Sequence, residues 1–189
     1  VLWNGRKNPY LYTVRCEIFD STTQEVTDNI DIRTGLREYH IDSHKGFFLN
    51  GEHIKLQGVS RHQDRENMGN AITEKQHAED VKIILDVGAN SVRLAHYQQN
   101  SYFYDLCDES GLLVWAEVPV ISRFSPKRNE NAEQQLVELI KQNYNHPSIF
   151  CWGIENEITI AGSASKKLIT FLKHMHKVAR HLDPTRYTT

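Results

Sequence analysis

An α/β fold, with a parallel sheet preceded by antiparallel strands, is what this sequence predicts, and three observations carry the prediction. Up to about residue 40, apolar side chains alternate with polar ones at period two. Beyond that point short apolar strands alternate with amphipathic helices. Polar side chains suited to binding then gather just after those strands. The 189 residues, 39% hydrophobic and 24% charged, have a globular composition and room for one large domain or two small ones.

In the first part, Tyr12, Val14, Cys16 and Ile18 point one way with Thr13, Arg15 and Glu17 between them, as in a half-buried antiparallel strand. A polar turn at Ser21-Thr22-Thr23 leads to a second strand from Val26 to Ile32. Residues 1–40 therefore read as the closing strands of a β-sandwich, too few for a core of their own. Next, Phe47-Phe48-Leu49, Asn50-Gly51 and Ile54-Lys55-Leu56 predict a tight hairpin, because Asn-Gly supplies the φ > 0 pair of a type I′ turn.

From residue 41 to 189 the strands are expected at Ile54–Val59, Asn90–Leu94, Leu112–Ala116 and Ile149–Ile154. The first helix opens on the capping box Thr73/Gln76, shares one face among Val81, Ile84 and Leu85, and stops at Gly88, a C′ glycine. The second runs from Ser101 to Glu109 and ends at Gly111. The third places Leu136, Leu139, Ile140 and Tyr144 together and stops before His146-Pro147. The fourth lines up Leu168, Phe171, Leu172, Met175, Val178 and Leu182, with Pro184 just beyond.

Such strand–helix units imply a parallel sheet with right-handed crossovers, either open and doubly wound or closed as a (β/α)8 barrel. Gly58-Val59-Ser60-Arg61-His62 is not the GxGxxG of a nucleotide-binding turn, which weighs against the open sheet. Four units are half of eight, so the N-terminal half of a (β/α)8 TIM barrel is expected, with unpaired edges on its first and fourth strands and Leu56, Val92, Val114 and Phe150 pointing inward.

A formal net charge of −2 offers no electrostatic case for nucleic acid or an anionic membrane as partner, and no apolar run approaches the ~20 residues that span a bilayer. The chain opens on Val1-Leu2-Trp3-Asn4-Gly5, without an initiating Met or a leader, and is expected to be an internal piece of a longer protein. Cys16, Cys107 and Cys151 are odd in number, far apart and flanked by apolar residues, which predicts buried free thiols rather than disulfides or a zinc site. His174, His176 and His181 stand among basic residues on the fourth helix and are expected on a solvated face.

Parallel α/β sheets bind ligands at the carboxyl ends of their strands. Those ends offer Arg61, His62, Gln63 and Asp64; then Arg93, His96 and Tyr97; then Glu117; then Glu155, Asn156 and Glu157. The joint pattern suits a hydroxyl-rich ligand. Trp115 and Trp152 could be sugar platforms, but inside apolar strands they read as core.

Six segments in order sharpen this: Gly46-Phe47-Phe48-Leu49-Asn50-Gly51-Glu52, Gly58-Val59-Ser60-Arg61-His62, Gly88-Ala89-Asn90-Ser91-Val92-Arg93, Ala95-His96-Tyr97, Asn145-His146-Pro147-Ser148 and Trp152-Gly153-Ile154-Glu155-Asn156-Glu157. Together they resemble family 2 glycoside hydrolases, the β-galactosidases and β-glucuronidases. Leu2-Trp3 and Asn8-Pro9-Tyr10-Leu11-Tyr12 resemble the immunoglobulin-like domain ahead of that family's barrel. The resemblance implies that Glu157 is the general acid/base, that Asn156 holds the sugar 2-hydroxyl, that Arg93 braces the nucleophilic carboxylate, and that His62 and His96 line the sugar pocket. It places the nucleophile at the seventh strand, outside these 189 residues; Glu117 and Glu155 do not match its motif.

Retention requires two carboxyl groups about 5–5.5 Å apart, one a proton donor and one a nucleophile. Where some members carry a Glu-x-His magnesium site, this chain reads Ile121-Ser122-Arg123, so no metal is expected, nor any cofactor. The expected partner is a glycoside or oligosaccharide, and self-association into a homo-oligomer is compatible with the chain. Glu155-Asn156-Glu157-Ile158 leans toward β-galactosidase, with β-glucuronidase second and β-mannosidase further off. A non-catalytic carbohydrate-binding barrel is the competing class, which has no need of an acid at Glu157.

Overall fold

A computed structural model describes residues 1–160 and 165–189. The short strands β1 (Trp3–Asn4) and β2 (Asn8–Pro9) pair with each other, and a long ribbon follows in β3 (Tyr12–Phe19) and β4 (Val26–Thr34). A three-stranded antiparallel sheet comes next: β5 (Tyr39–Asp42), β6 (Gly46–Leu49) and β7 (Glu52–Ile54). Its β6–β7 turn has φ of 50° at Asn50 and 82° at Gly51, both positive as Asn-Gly predicts.

The larger sheet alternates with helices: β8 (Gly58–Arg61), α1 (Glu74–Asp86), β9 (Ser91–Leu94), α2 (Ser101–Ser110), β10 (Leu113–Glu117), α3 (Asn129–Asn143), β11 (Ile149–Gly153), α4 (Lys166–Leu182) and β12 (Tyr187–Thr188). The five strands lie side by side in chain order, every pair parallel. The helix ends follow the local chemistry. Gln76 Oε1 accepts the Thr73 N–H at 3.0 Å at the start of α1, and Gly88 takes φ of 81° beyond its end. Asn100 Oδ1 caps α2 at Tyr102 N, 2.9 Å, and Gly111 ends it at φ of 71°.

Four expectations need correction. The predicted strand Ile54–Val59 is two strands, β7 and β8, because Asn90 reaches across: its Oδ1 accepts Gln57 N–H at 2.8 Å and its Nδ2 donates to Lys55 O at 2.9 Å, holding the chain out of strand pairing between them. The sheet has five strands rather than four, so its open edges are β8 and β12. Val92 and Val114 point not inward but toward the helices, in one core with Phe103, Leu136 and Phe171. Strands of a parallel sheet are apolar on both faces, so alternation cannot say which set meets the helices. Finally, Cys107 and Cys151 are buried but Cys16 is exposed. Val14, Ile18 and Ile30 on the same ribbon are 46%, 62% and 59% exposed, since no described residue lies over that face.

The N-terminal strands dock beneath the parallel sheet. Fully buried Trp3 donates to Asp108 O at 2.8 Å, and Phe47 and Leu49 pack with Leu113, Phe150 and Cys151. Asn145-His146-Pro147-Ser148 is the hub of this end. Arg37 donates to Pro147 O at 2.6 Å, Arg186 donates to Tyr144 O and His146 O at 2.8 and 2.9 Å, and Asp108 accepts from Ser148 N–H and faces His146 Nδ1 at 2.6 Å. Burial, with Arg186 nearby, lowers the Arg37 guanidinium to about 10. On α4, Leu168, Phe171, Met175 and Ala179 are buried while His174, His176 and His181 are exposed. No helix among the described residues is long and apolar enough to cross a membrane.

Candidate active site

The carboxyl ends of β9, β10 and β11 converge on one fully buried carboxylate. Glu117, the last residue of β10, has a side chain with 0% exposure. One of its oxygens accepts from Arg93 Nε, and the other lies 2.7 Å from His96 Nδ1. Arg93 stacks its guanidinium 4.6 Å from the centre of the Trp115 ring and donates through Nη2 to Asn156 Oδ1 at 2.8 Å. The His62 ring stands edge-on to His96, centroids 5.4 Å apart. Arg93, His96, His62 and Asn156, drawn from three strand ends, thus form one connected polar cluster. A charge buried as completely as that of Glu117 is tolerable only with such partners.

Asn156 and Glu157 follow β11 in a segment pinned by its neighbour. Asn156 N–H donates to Val120 O at 2.8 Å, and Ser122 N–H donates to Asn156 O at 3.0 Å, so Ile121-Ser122 serves as a backbone bracket. Asn156 is buried, whereas Glu157 is exposed and takes φ of 53°. A non-glycine residue there costs about 1–2 kcal/mol, so the flanking backbone bonds have to hold it. Glu155 caps the turn, its Oε2 accepting Ile158 N–H at 3.2 Å.

Other residues from the strand ends serve the scaffold. Arg61 turns toward the helices, where it binds Asp80 at 2.7 Å, Gln99 and His77, and lies 3.9 Å from the centre of the Phe103 ring. Gln63 ties its loop to Asn100 N at 2.7 Å and to the Tyr97 hydroxyl at 2.9 Å, and Asp64 is exposed. Trp152 is core: fully buried, it donates to Asp183 Oδ2 at 2.9 Å. Trp115, partly buried, packs against the second core on the Arg93 face of the sheet, its buried Nε1 without a partner among the described residues. Asp105, Asp108 and His146 stand within 4.8 Å of one another, but Asp105 pairs with Arg33 and Asp108 is committed to His146 and Ser148.

The role of Glu117 is what reading strand ends misses. Its only sequence signal is an acid closing the otherwise apolar run Leu112–Ala116. Gly153 shows how closely it is enclosed: a Cβ there would lie 2.5 Å from Trp115 Nε1 and 2.6 Å from Glu117 Cγ. Gly153→Ala is therefore expected to lower the unfolding midpoint, by the ~1–3 kcal/mol typical of overpacking. An unchanged denaturation curve would show that the ion pair gives way freely.

The chain is similar to known proteins. A family model described as "Glycosyl hydrolases family 2, TIM barrel domain" matches residues 41–189. A β-glucuronidase of Bacteroides fragilis is 43% identical, covering 100% of this chain and 28% of its own length. A β-galactosidase of Thermoanaerobacter pseudethanolicus is 34% identical over 96% of this chain and 24% of its own length. Among solved structures, an FMN-binding β-glucuronidase from Facaelibacterium prausnitzii L2-6 superposes with a TM-score of 0.94 at 46% identity, over 100% of this chain and 29% of that one. The chain thus spans roughly a quarter of the length of these relatives. With the family model matched over residues 41–189 and a relative 43% identical along the whole chain, this chain belongs to family 2 of the glycoside hydrolases, and residues 41–189 are a portion of its TIM-barrel domain.

Proposed function

We propose that the full-length protein carrying this chain removes a terminal β-linked sugar with retention of configuration, and that Glu157 is its general acid/base. The observation that supports this most is the Arg93–Asn156 hydrogen bond at 2.8 Å. A guanidinium has no acceptor, so Asn156 turns its oxygen to Arg93 and keeps its NH2 for a sugar hydroxyl. The exposed Glu157 carboxyl is the next residue along the chain. In this reading Glu157 protonates the departing glycosidic oxygen, then takes a proton from the water that releases the sugar.

The nucleophile is assigned to a residue outside these 189. Glu117 is bound to Arg93 and His96, and Glu155 to Ile158 N–H, so both nearby carboxylates have structural partners. Residues 1–40 are assigned to the final strands of an immunoglobulin-like β-sandwich, whose missing neighbours would cover the exposed face of Val14, Ile18 and Ile30. For the sugar, the names of the relatives weigh toward a β-glucuronide and place a β-galactoside second, reversing the order suggested by Glu155-Asn156-Glu157-Ile158.

The test is to assay the full-length protein on aryl β-glucuronide and aryl β-galactoside, following the anomeric configuration of the released sugar by NMR. Turnover with retention on either supports the assignment, and the 189-residue chain alone is expected to give none. Inversion, or sugar binding without turnover, would overturn it; the latter outcome describes a carbohydrate-binding barrel.

A further inference from the structure

We infer that Glu117 is a positioning residue, a single buried carboxylate that decides which hydrogen-bonding atoms His96 and Asn156 present to the ligand. The inference takes its ligand, a sugar hydroxyl beside Asn156, from the hydrolase reading above; the geometry itself does not depend on it. Facing a guanidinium that can only donate, the Glu117 carboxylate acts as acceptor toward both partners. His96 Nδ1, 2.7 Å away, must therefore carry a proton, which leaves Nε2 as the free nitrogen of the ring. His62, edge-on at 5.4 Å between centroids, stands beside the same ring.

The second arm runs through Arg93. Glu117 holds its Nε and the Trp115 ring lies 4.6 Å beneath it, so Nη2 is aimed at Asn156 Oδ1. Asn156 has no other side-chain hydrogen bond among the described residues, and its amide orientation follows from Arg93. Removing the negative charge of Glu117 weakens its hold on Arg93 and reverses the direction of its hydrogen bond with His96. A glutamine at 117 would turn its oxygen to Arg93 and its NH2 to His96, and that NH2 demands an unprotonated Nδ1. The ring would then switch to the opposite tautomer. A carboxylate that merely glued three strands together would affect stability but not tautomer, and all substrates alike.

Two measurements on the full-length protein separate these roles. The first is 15N NMR of histidine-labelled, unliganded protein, with the His96 signal identified by its loss in His96→Phe. Nδ1 is expected to be protonated in the wild type and Glu117→Asp, and Nε2 in Glu117→Gln. An unprotonated Nδ1 in the wild type would overturn the inference. The second compares an aryl β-glycoside with its 2-deoxy analogue. Glu117→Gln should lower kcat/KM about 10–100-fold on the former and about threefold or less on the latter, the range expected for losing a charge-linked hydrogen bond. Glu117→Asp should recover part of the difference. Equal losses on both substrates would reduce Glu117 to scaffold. Should Glu117→Gln fail to fold, the wild-type tautomer and the substrate ratio in Glu117→Asp decide. Should the protein cleave no glycoside, the hydrolase reading falls while the NMR result still judges the positioning role.

Discussion

Glu157→Gln in the full-length protein is expected to slow cleavage of a glycoside with a poor leaving group by about 10²–10⁴-fold, the usual worth of general acid catalysis. Glutamine keeps the shape and hydrogen-bonding reach of the side chain and removes only the transferable proton. Because Glu157 is exposed and the backbone of Asn156 before it is bracketed by Val120 and Ser122, the fold should not notice the change. The loss must therefore track the need for a proton. An activated aryl glycoside, whose leaving group departs as a stable anion, should form the glycosyl-enzyme at nearly the wild-type rate. Pre-steady-state measurement of that step on both substrates is the check. Equal losses would mean that Glu157 is not the acid.

Arg61→Leu carries the largest expected effect on stability, about 3–5 kcal/mol, the cost of leaving the partners of a buried charge unpaired. The Arg61 side chain is 5% exposed and joins β8 to α1 and to the loop before α2 through Asp80, His77 and Gln99. Leucine fills part of the space over Phe103 but satisfies none of these groups. Asp80 keeps Arg65 at 2.7 Å, which places the loss toward the lower end of the range. Chemical denaturation reads the effect, and KM measured on the folded fraction should stay near the wild-type value because Arg61 faces the helices. A raised KM with unchanged stability would return Arg61 to the substrate.

Local chemistry was legible in the sequence. The Asn50-Gly51 turn, the Thr73/Gln76 cap, the glycines at 88 and 111 and the apolar stripe of α4 depend on residues a few positions apart, so their spacing predicts them. The same holds for the site at the level of strand ends: Arg93, His96 and Asn156 had to fall at the carboxyl edge once the strands were placed, and they do. What each end residue does was not legible. Arg61 and His62 are neighbours in the chain, yet one is buried among helices and the other stands beside His96.

The sequence by itself therefore determined the alternation of strands and helices, the parallel sheet, and the polar residues delivered to its carboxyl edge. Only the tertiary structure decided that Val92 and Val114 meet the helices, that Cys16 lies on an uncovered ribbon, and that Glu117 joins Arg93 to His96. The physical reason is range. Turns and caps are settled by bonds between near neighbours, whereas which face of a strand is buried, and which partner a buried charge finds, depend on packing between segments distant in the chain.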